Sequence, residues 1–179
     1  VGEFISFLDE DFRNQSLVFN TLALYYVKTG DLETAAGYFL QSLQIKEKLN
    51  DKPAMAKLAA NLADVYQLSG NYPQAVNFNE YIIRIGKDLK KYDLISLAYL
   101  NIAAVNLLQK KYSEAETNVL RKALPLFKWN QVGRMRSFSM LAGIYAMQNR
   151  YSEAKWYNLQ ARRIADMLND TQAQISSLV

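Results

Sequence analysis

A chain of 179 residues is long enough for one ordinary domain, and its composition narrows what that domain can do. Half the residues are apolar while Gly (7) and Pro (3) are scarce, which favours helix over strand and predicts an all-α protein. Cys and His are both absent, so disulfides, thiolate zinc sites, cysteine nucleophiles and histidine bases are excluded by inventory; the net charge of +4 favours acidic partners only weakly.

Residues 1–9, VGEFISFLD, align forty positions ahead of 41–49, where a second helix of a repeat ends, so a partial helix is expected over 1–9. Glu3, Asp9, Glu10 and Asp11 precede the first basic residue, which leaves 21 basic against 13 acidic residues, +8, over 12–179. The stretch TLALYYVKTGDLETAAGYFLQSLQI from Thr21 then recurs from Asn61, Asn101 and Met140, at intervals of forty, forty and thirty-nine residues. Self-similarity at such a period marks stacked helical units that bury their apolar faces against neighbours rather than in one central core. The repeats are expected over about 11–50, 51–91, 92–129 and 130–169, within one repeat domain spanning 1–179.

Within the first pair, Gly30 can take the left-handed conformation that ends one helix and Asp31 can cap the next. Leu22, Ala23 and Tyr26 face the second helix, where Ala35 supplies a small contact. The same slots hold Leu62, Ala63, Tyr66 and Ala75, then Ile102, Ala103, Asn106 and Ala115, then Leu141, Ala142, Tyr145 and Ala154. Small residues at a helix crossing let the axes approach to the lower end of the roughly 8–10 Å range. In the third copy Asn106 occupies a tyrosine slot and Lys110 a glycine slot; lysine tolerates the left-handed region poorly, so that turn is expected to be built differently. Asn149 stands in the fourth. Pro125 falls inside the helix expected over 112–128 and should kink or end it near Leu124, with Trp129 packing into the irregular joint. The last full helix is expected to end at Leu168-Asn169-Asp170, echoing Leu49-Asn50-Asp51, and 171–179 to begin a further or capping helix.

Ala59, Leu62, Ala63, Tyr66, Gly70, Tyr72 and Ala75 together follow the pattern of the tetratricopeptide repeat family, which the chain resembles over essentially its whole length. The period is longer than that family's usual 34 or so residues, which resembles its signalling and scaffold members. The resemblance implies a right-handed α-solenoid of stacked antiparallel helix pairs, a superhelix whose first helices line a concave groove. On that register the groove candidates are Asn20, Lys57, Asn61, Asp64 and Gln67, followed by Leu97, Leu100, Asn101, Ala104, Leu107, Leu108 and Arg136. The family's grip on a C-terminal carboxylate needs Lys and Asn at set groove positions; those hold Asn20 and Leu24, Ala60 and Asp64, Leu100 and Ala104, and Ser139 and Gly143, so that clamp is absent.

The segment 93–109, DLISLAYLNIAAVNLLQ, is apolar on nearly every face, which ordinarily means burial all round. Its leucines 97, 100, 107 and 108 admit two readings: an uncovered stripe that binds a partner, or packing against adjacent repeats. Small Ala104 leaves room between them, while Lys57, Asp64, Gln67 and Arg136 could orient a bound segment and Asn61 and Asn101 could hold peptide backbone. The basic residues toward the ends of second helices complement helix dipoles, and no dense basic stripe with stacking aromatics argues for nucleic acid.

No paired acidic motif, Gly-rich phosphate loop or nucleophile elbow is present, so neither catalysis nor a cofactor or metal is expected. No apolar run approaches the roughly 18 residues of a membrane span. The expected function is a non-catalytic protein- or peptide-binding scaffold. The resemblance extends this to the input region of a larger bacterial signalling protein. It would be cytoplasmic, or periplasmic if the chain is a piece of a membrane-anchored sensor. A homotypic assembly or spacer module, self-associating through the leucines, and a receptor for a small signal peptide are the alternatives.

Overall fold

The computed structural model describes the backbone of residues 2–176 and the side chains of residues 11–169. The described backbone is helical, in the order α1 (Gly2–Thr29), α2 (Leu32–Lys48), α3 (Lys52–Leu68), α4 (Tyr72–Asp88), α5 (Tyr92–Leu108), α6 (Tyr112–Thr117), α7 (Gln131–Met147) and α8 (Tyr151–Ser176), with no strand among the described residues. These helices form two compact units, Val1–Lys90 and Lys91–Val179.

In the first unit α1 pairs with α2 and α3 with α4, and each turn is dictated locally. Gly30 and Gly70 adopt φ of +85° and +75°, after which Asp31 accepts from the Thr34 amide at 3.1 Å and Asn71 from Gln74 at 3.3 Å. Between the pairs Asn50 takes φ +50° and Asp51 caps Ala54 at 3.2 Å, with Pro53 set in the first turn of α3. Each cap satisfies one of the amides that a helix start leaves without an intrahelical partner. The core gathers Ala23, Phe39, Leu43, Leu58, Leu62 and Val65, while Ala35 and Ala75 are fully buried at the helix crossings. Ser16 and Ser42 add a crossing that the repeat pattern did not reveal: both are buried, their hydroxyls lie 2.9 Å apart, and Ser42 also donates to the Ser16 carbonyl.

The second unit pairs α5 with α6 and its irregular continuation, and α7 with α8. Its core joins Leu100, Ala103, Val119, Phe127, Leu141, Ile144 and Tyr145. The third turn is built differently in its bonding, though its left-handed residue keeps the glycine conformation: the Lys111 amide reaches the Asn106 carbonyl at 2.8 Å, and Lys111 supplies no side-chain cap to the next helix. Lys110 takes φ +60° and Asn149 +59°, the conformation of the glycine turns, and the Lys110 amide closes on the Leu107 carbonyl at 3.0 Å. The backbone bonds that close the helix hold lysine in a region it disfavours on its own.

The disruption at Pro125 begins earlier than its own position. From Asn118 to Ala123 the helix widens to π geometry, with the Leu124 amide reaching back five residues to the Val119 carbonyl, and Leu124–Leu126 then tighten into a 3-10 turn. Proline cannot donate to the residue four back and its ring clashes with that carbonyl, so the preceding turn expands and the helix stops. Trp129 does not pack into this joint; it is 83% exposed, with the Lys128 ammonium 5.6 Å from its ring. Phe127 fills the joint instead, wholly buried against Gly133. The widened turn changes the helical phase, which brings 127 rather than 129 to the core side.

Two expected breaks are absent. α1 runs unbroken from Gly2, so 1–9 is not a separate helix, and α8 continues through Asn169-Asp170 to Ser176. At Asn50-Asp51 the left-handed Asn50 turns the chain and Pro53 disfavours helix continuation past Leu49; no proline or glycine stands at 9–13 or 170–173, although Lys90 turns the chain with neither beside it. Residues 177–179, the end of the expected further helix, lie outside the described residues. Among the described residues, no helix is long and apolar enough to cross a membrane.

Candidate functional site

The second unit carries an open cavity of about 430 Å³ between α5 and α7, lined by Leu97, Leu100 and Asn101 on one side and Met135, Arg136, Ser139 and Met140 on the other. Its construction follows from helix geometry: 97, 100 and 101 are spaced i, i+3, i+4, and 135, 136, 139 and 140 make the matching two-row stripe one pair later. Leu100 is the floor, 4% exposed and shared with the core, whereas Leu97 remains 36% exposed at the mouth. Met135 and Met140 are half-buried beside them, and their unbranched thioethers adapt to different apolar shapes. Exposed Arg136 and Ser139 and half-buried Asn101 supply the polar edge.

A smaller cavity of about 140 Å³ lies in the first unit among α1, α2 and α3, where Asn20 and Lys57 meet Arg13, Ser16, Leu17, Ser42, Lys46, Ala54 and Leu58. Lys46 is directed partly to Asp51, 3.8 Å away. Arg13, Lys46 and Lys57 give this cavity a cationic rim.

The twelve sequence candidates therefore divide. Leu97, Leu100, Asn101 and Arg136 converge in the larger cavity and Asn20 and Lys57 in the smaller one, while Asn61, Asp64, Gln67, Ala104, Leu107 and Leu108 line neither. Leu107 packs against the core of the second unit, and Leu108 is exposed at the end of α5. The leucine stripe is thus mixed: Leu100 and Leu107 are packing residues and only Leu97 and Leu108 present open surface. Asp64 is exposed, yet desolvation by the surrounding protein holds its carboxyl above the usual value. The sequence reading missed Met135 and Met140, whose signal was their place beside Arg136 and Ser139 on the same helical stripe.

The paired charges elsewhere are structural. Tyr145 donates to Glu116 at 2.8 Å, Arg150 lies 3.7 Å from the same carboxylate, and the Arg150 guanidinium covers the Tyr145 ring at 4.2 Å. Tyr81 donates to Glu47 at 2.6 Å, and burial together with the carboxylate each bonds, Glu47 for Tyr81 and Glu116 for Tyr145, pushes both phenols well above the ordinary tyrosine range. Raised phenols stay protonated and serve as donors, not as bases. Among the described residues no cluster of three or more carboxylates is placed to hold a metal.

Residues 14–88 match the tetratricopeptide repeat family. Comparison with curated proteins by sequence returns no match. Among solved structures the chain is similar to the apo form of RapI (20% identity, TM-score 0.74, covering 90% of this chain and 60% of that one). It is similar also to aspartyl phosphate phosphatase F from Bacillus subtilis (14%, 0.77, covering 88% and 42%). A third is a putative kinesin light chain with nearly identical TPR-like repeats from Podosopora anserina (19%, 0.69, covering 86% and 76%). The chain spans less than two thirds of RapI and less than half of the phosphatase. At these identities the likeness is one of fold.

Proposed function

We propose, from the premise that this chain is a tetratricopeptide-type helical repeat protein with residues 14–88 matching that family, that it is a non-catalytic peptide-binding module. Its docking site is the cavity between α5 and α7. The observation that carries this reading is the convergence there of an apolar floor, Leu97, Leu100, Met135 and Met140, with Asn101, Ser139 and Arg136 along its edge. An extended peptide needs both: an apolar side chain gains by leaving water, and its backbone amides need partners such as a carboxamide and a hydroxyl. Arg136 adds preference for a carboxylate on the bound segment, through the paired donors of its guanidinium. A role as the input region of a larger signalling protein fits a module that only binds, and the match covers 60% of RapI and 42% of the phosphatase, both longer chains than this one.

The test is selection from a displayed random peptide library on the purified chain, with Leu97→Glu as the counter-selection. Leu97 is 36% exposed, so the variant keeps its core. Peptides combining an apolar and an acidic residue, enriched on the wild type and lost on the variant, are expected. Enrichment that is indifferent to Leu97→Glu and to Arg136→Glu overturns the assignment.

A further inference from the structure

Trp129 is 83% exposed, and Val132 three residues on is 43% exposed. A large ring left in water is informative where a scattered small apolar side chain is not. Its surroundings are uniform in charge. Arg121, Lys122, Lys128, Arg134 and Arg136 all lie within eight residues of Trp129, and no acidic residue stands between Glu116 and Glu153. Residues 117–152 hold six basic and no acidic residues, +6, so the remaining 15 basic and 17 acidic residues come to −2. The net positive charge of the chain, +4, therefore resides in this one segment.

Among the described residues these five cations have no carboxylate partner; the ion pairs present are those of Lys46, Lys52, Arg150 and Arg162. Lys128 instead leans on the Trp129 ring at 5.6 Å, Lys122 on Tyr99 at 5.3 Å and Arg134 on Phe138 at 5.6 Å. Arg121 and Lys122 complement the end of their own helical segment. Arg134 and Arg136 do the opposite: they stand in the first two turns of α7, which has no acid in its first turn, and so oppose its dipole. Like charges held together against a helix dipole cost stability, and a polyanionic partner offsets that cost. Shape selects among polyanions. Trp129 stands on the short link between the 3-10 turn and α7 and lines neither of the two cavities described above, so with exposed Pro125 and Val132 it offers a protrusion rather than a groove. A nucleic-acid strand or a peptide is held in a groove. A lipid surface takes a protruding ring, because an indole sits at the level of the headgroups while neighbouring lysines and arginines meet the anionic lipids.

We propose that the joint before α7, with Trp129 as its apolar anchor and Arg121, Lys128 and Arg134 around it, is a docking surface for an anionic lipid bilayer, to which the chain binds peripherally. Arg136 belongs to the α5–α7 cavity and is left out of this surface, so the proposal stands or falls independently of the peptide reading.

Vesicle flotation and tryptophan fluorescence test it on the full chain, with vesicles of phosphatidylcholine alone and of phosphatidylcholine mixed equally with phosphatidylglycerol. Trp156→Phe leaves Trp129 as the one tryptophan and so as the reporter. Flotation with the mixed vesicles and not with phosphatidylcholine alone is expected, weakening as salt is raised, with a blue shift of Trp129 emission and protection from acrylamide. Arg121→Gln, Lys128→Gln removes two exposed cations and is expected to weaken binding about tenfold or more, at about fivefold for each charge. Lys48→Gln, Lys87→Gln removes the same charge from exposed positions in the first unit and is expected to leave binding unchanged. Trp129→Ala, at a position outside the core, is expected to weaken binding as well. Absence of flotation with the mixed vesicles overturns the proposal. So does flotation that leaves Trp129 emission unmoved, or that falls equally with Lys48→Gln, Lys87→Gln, since net charge alone would then be responsible. Tighter binding to a single-stranded oligonucleotide or to polyglutamate than to the mixed vesicles overturns it in favour of another polyanion.

Discussion

Gly133 is the position where a single methyl group tests the packing of the second unit. A Cβ built there would lie 2.6 Å from Phe127 Cγ and closer still to Cδ1 and Cε1, against an ordinary carbon contact of about 3.5–4.0 Å. Neither side can yield easily. Phe127 is fully buried in the core, and the glycine backbone is pinned at both ends: its amide donates to Asn130 Oδ1 at 2.8 Å and its carbonyl accepts from Ser137 Oγ at 2.9 Å. Overpacking of this kind costs roughly 1–3 kcal/mol, and the better helix propensity of alanine returns about 0.5–1 kcal/mol. Gly133→Ala should therefore destabilise by about 1–2 kcal/mol, which for a chain of this size lowers Tm by about 3–6 °C. Circular dichroism melts of the single variant and of Gly133→Ala combined with Phe127→Leu measure it. The smaller side chain should make the two changes much less than additive, since they share one contact. A neutral or stabilising Gly133→Ala refutes the claim that Phe127 closes the joint against that glycine.

Lys110→Gly should stabilise by about 0.5–1 kcal/mol in the same melts, because relief of a left-handed residue, about 1–2 kcal/mol, exceeds the added unfolded-state entropy. Ala75→Leu, at a fully buried crossing in the first unit, should cost roughly 1–3 kcal/mol; an unchanged melt would mean the helices there have slack. Asp64→Asn tests electrostatics. A carboxyl whose folded value is raised binds its proton more tightly in the native state, so wild-type stability falls as pH rises from the ordinary value of 3.8 through the raised one. The variant should consequently melt higher than wild type at neutral pH and lose that advantage in acid, and a difference independent of pH would contradict the desolvation.

The helix pairs, their turns and the crossing alanines were legible because each depends on local chemistry repeated at a fixed interval: Gly30 and Gly70 for the turn, Asp31, Asp51 and Asn71 for the caps, Ala35 and Ala75 for close approach. What failed was wherever the phase of a helix changes. Pro125 announced a disruption, but the π turn starting at Asn118 shifts the core side from Trp129 to Phe127, and no period computed through the break can supply that shift. The breaks expected near residue 10 and at Asn169-Asp170 failed because residue type alone does not end a helix: Pro53 follows Asn50-Asp51 and no proline follows the other two, while Lys90, Lys110 and Asn149 turn the chain without one. Half of the groove candidates, six of twelve, were brought into the two cavities. The leucines divided because a helix apolar on all faces carries no signal for which face is open, and the burial of Leu100 beside the exposure of Leu108 depends on neighbours, not on α5 itself.

The most direct test of the groove is amide and methyl chemical-shift mapping on the labelled chain with a peptide taken from the library selection. Perturbations concentrated on Leu97, Leu100, Asn101 and residues 135–140, saturating at one equivalent and abolished by Leu97→Glu, are the predicted result. Shifts confined to α2, α4 or α8, with the α5–α7 signals unmoved, would contradict it.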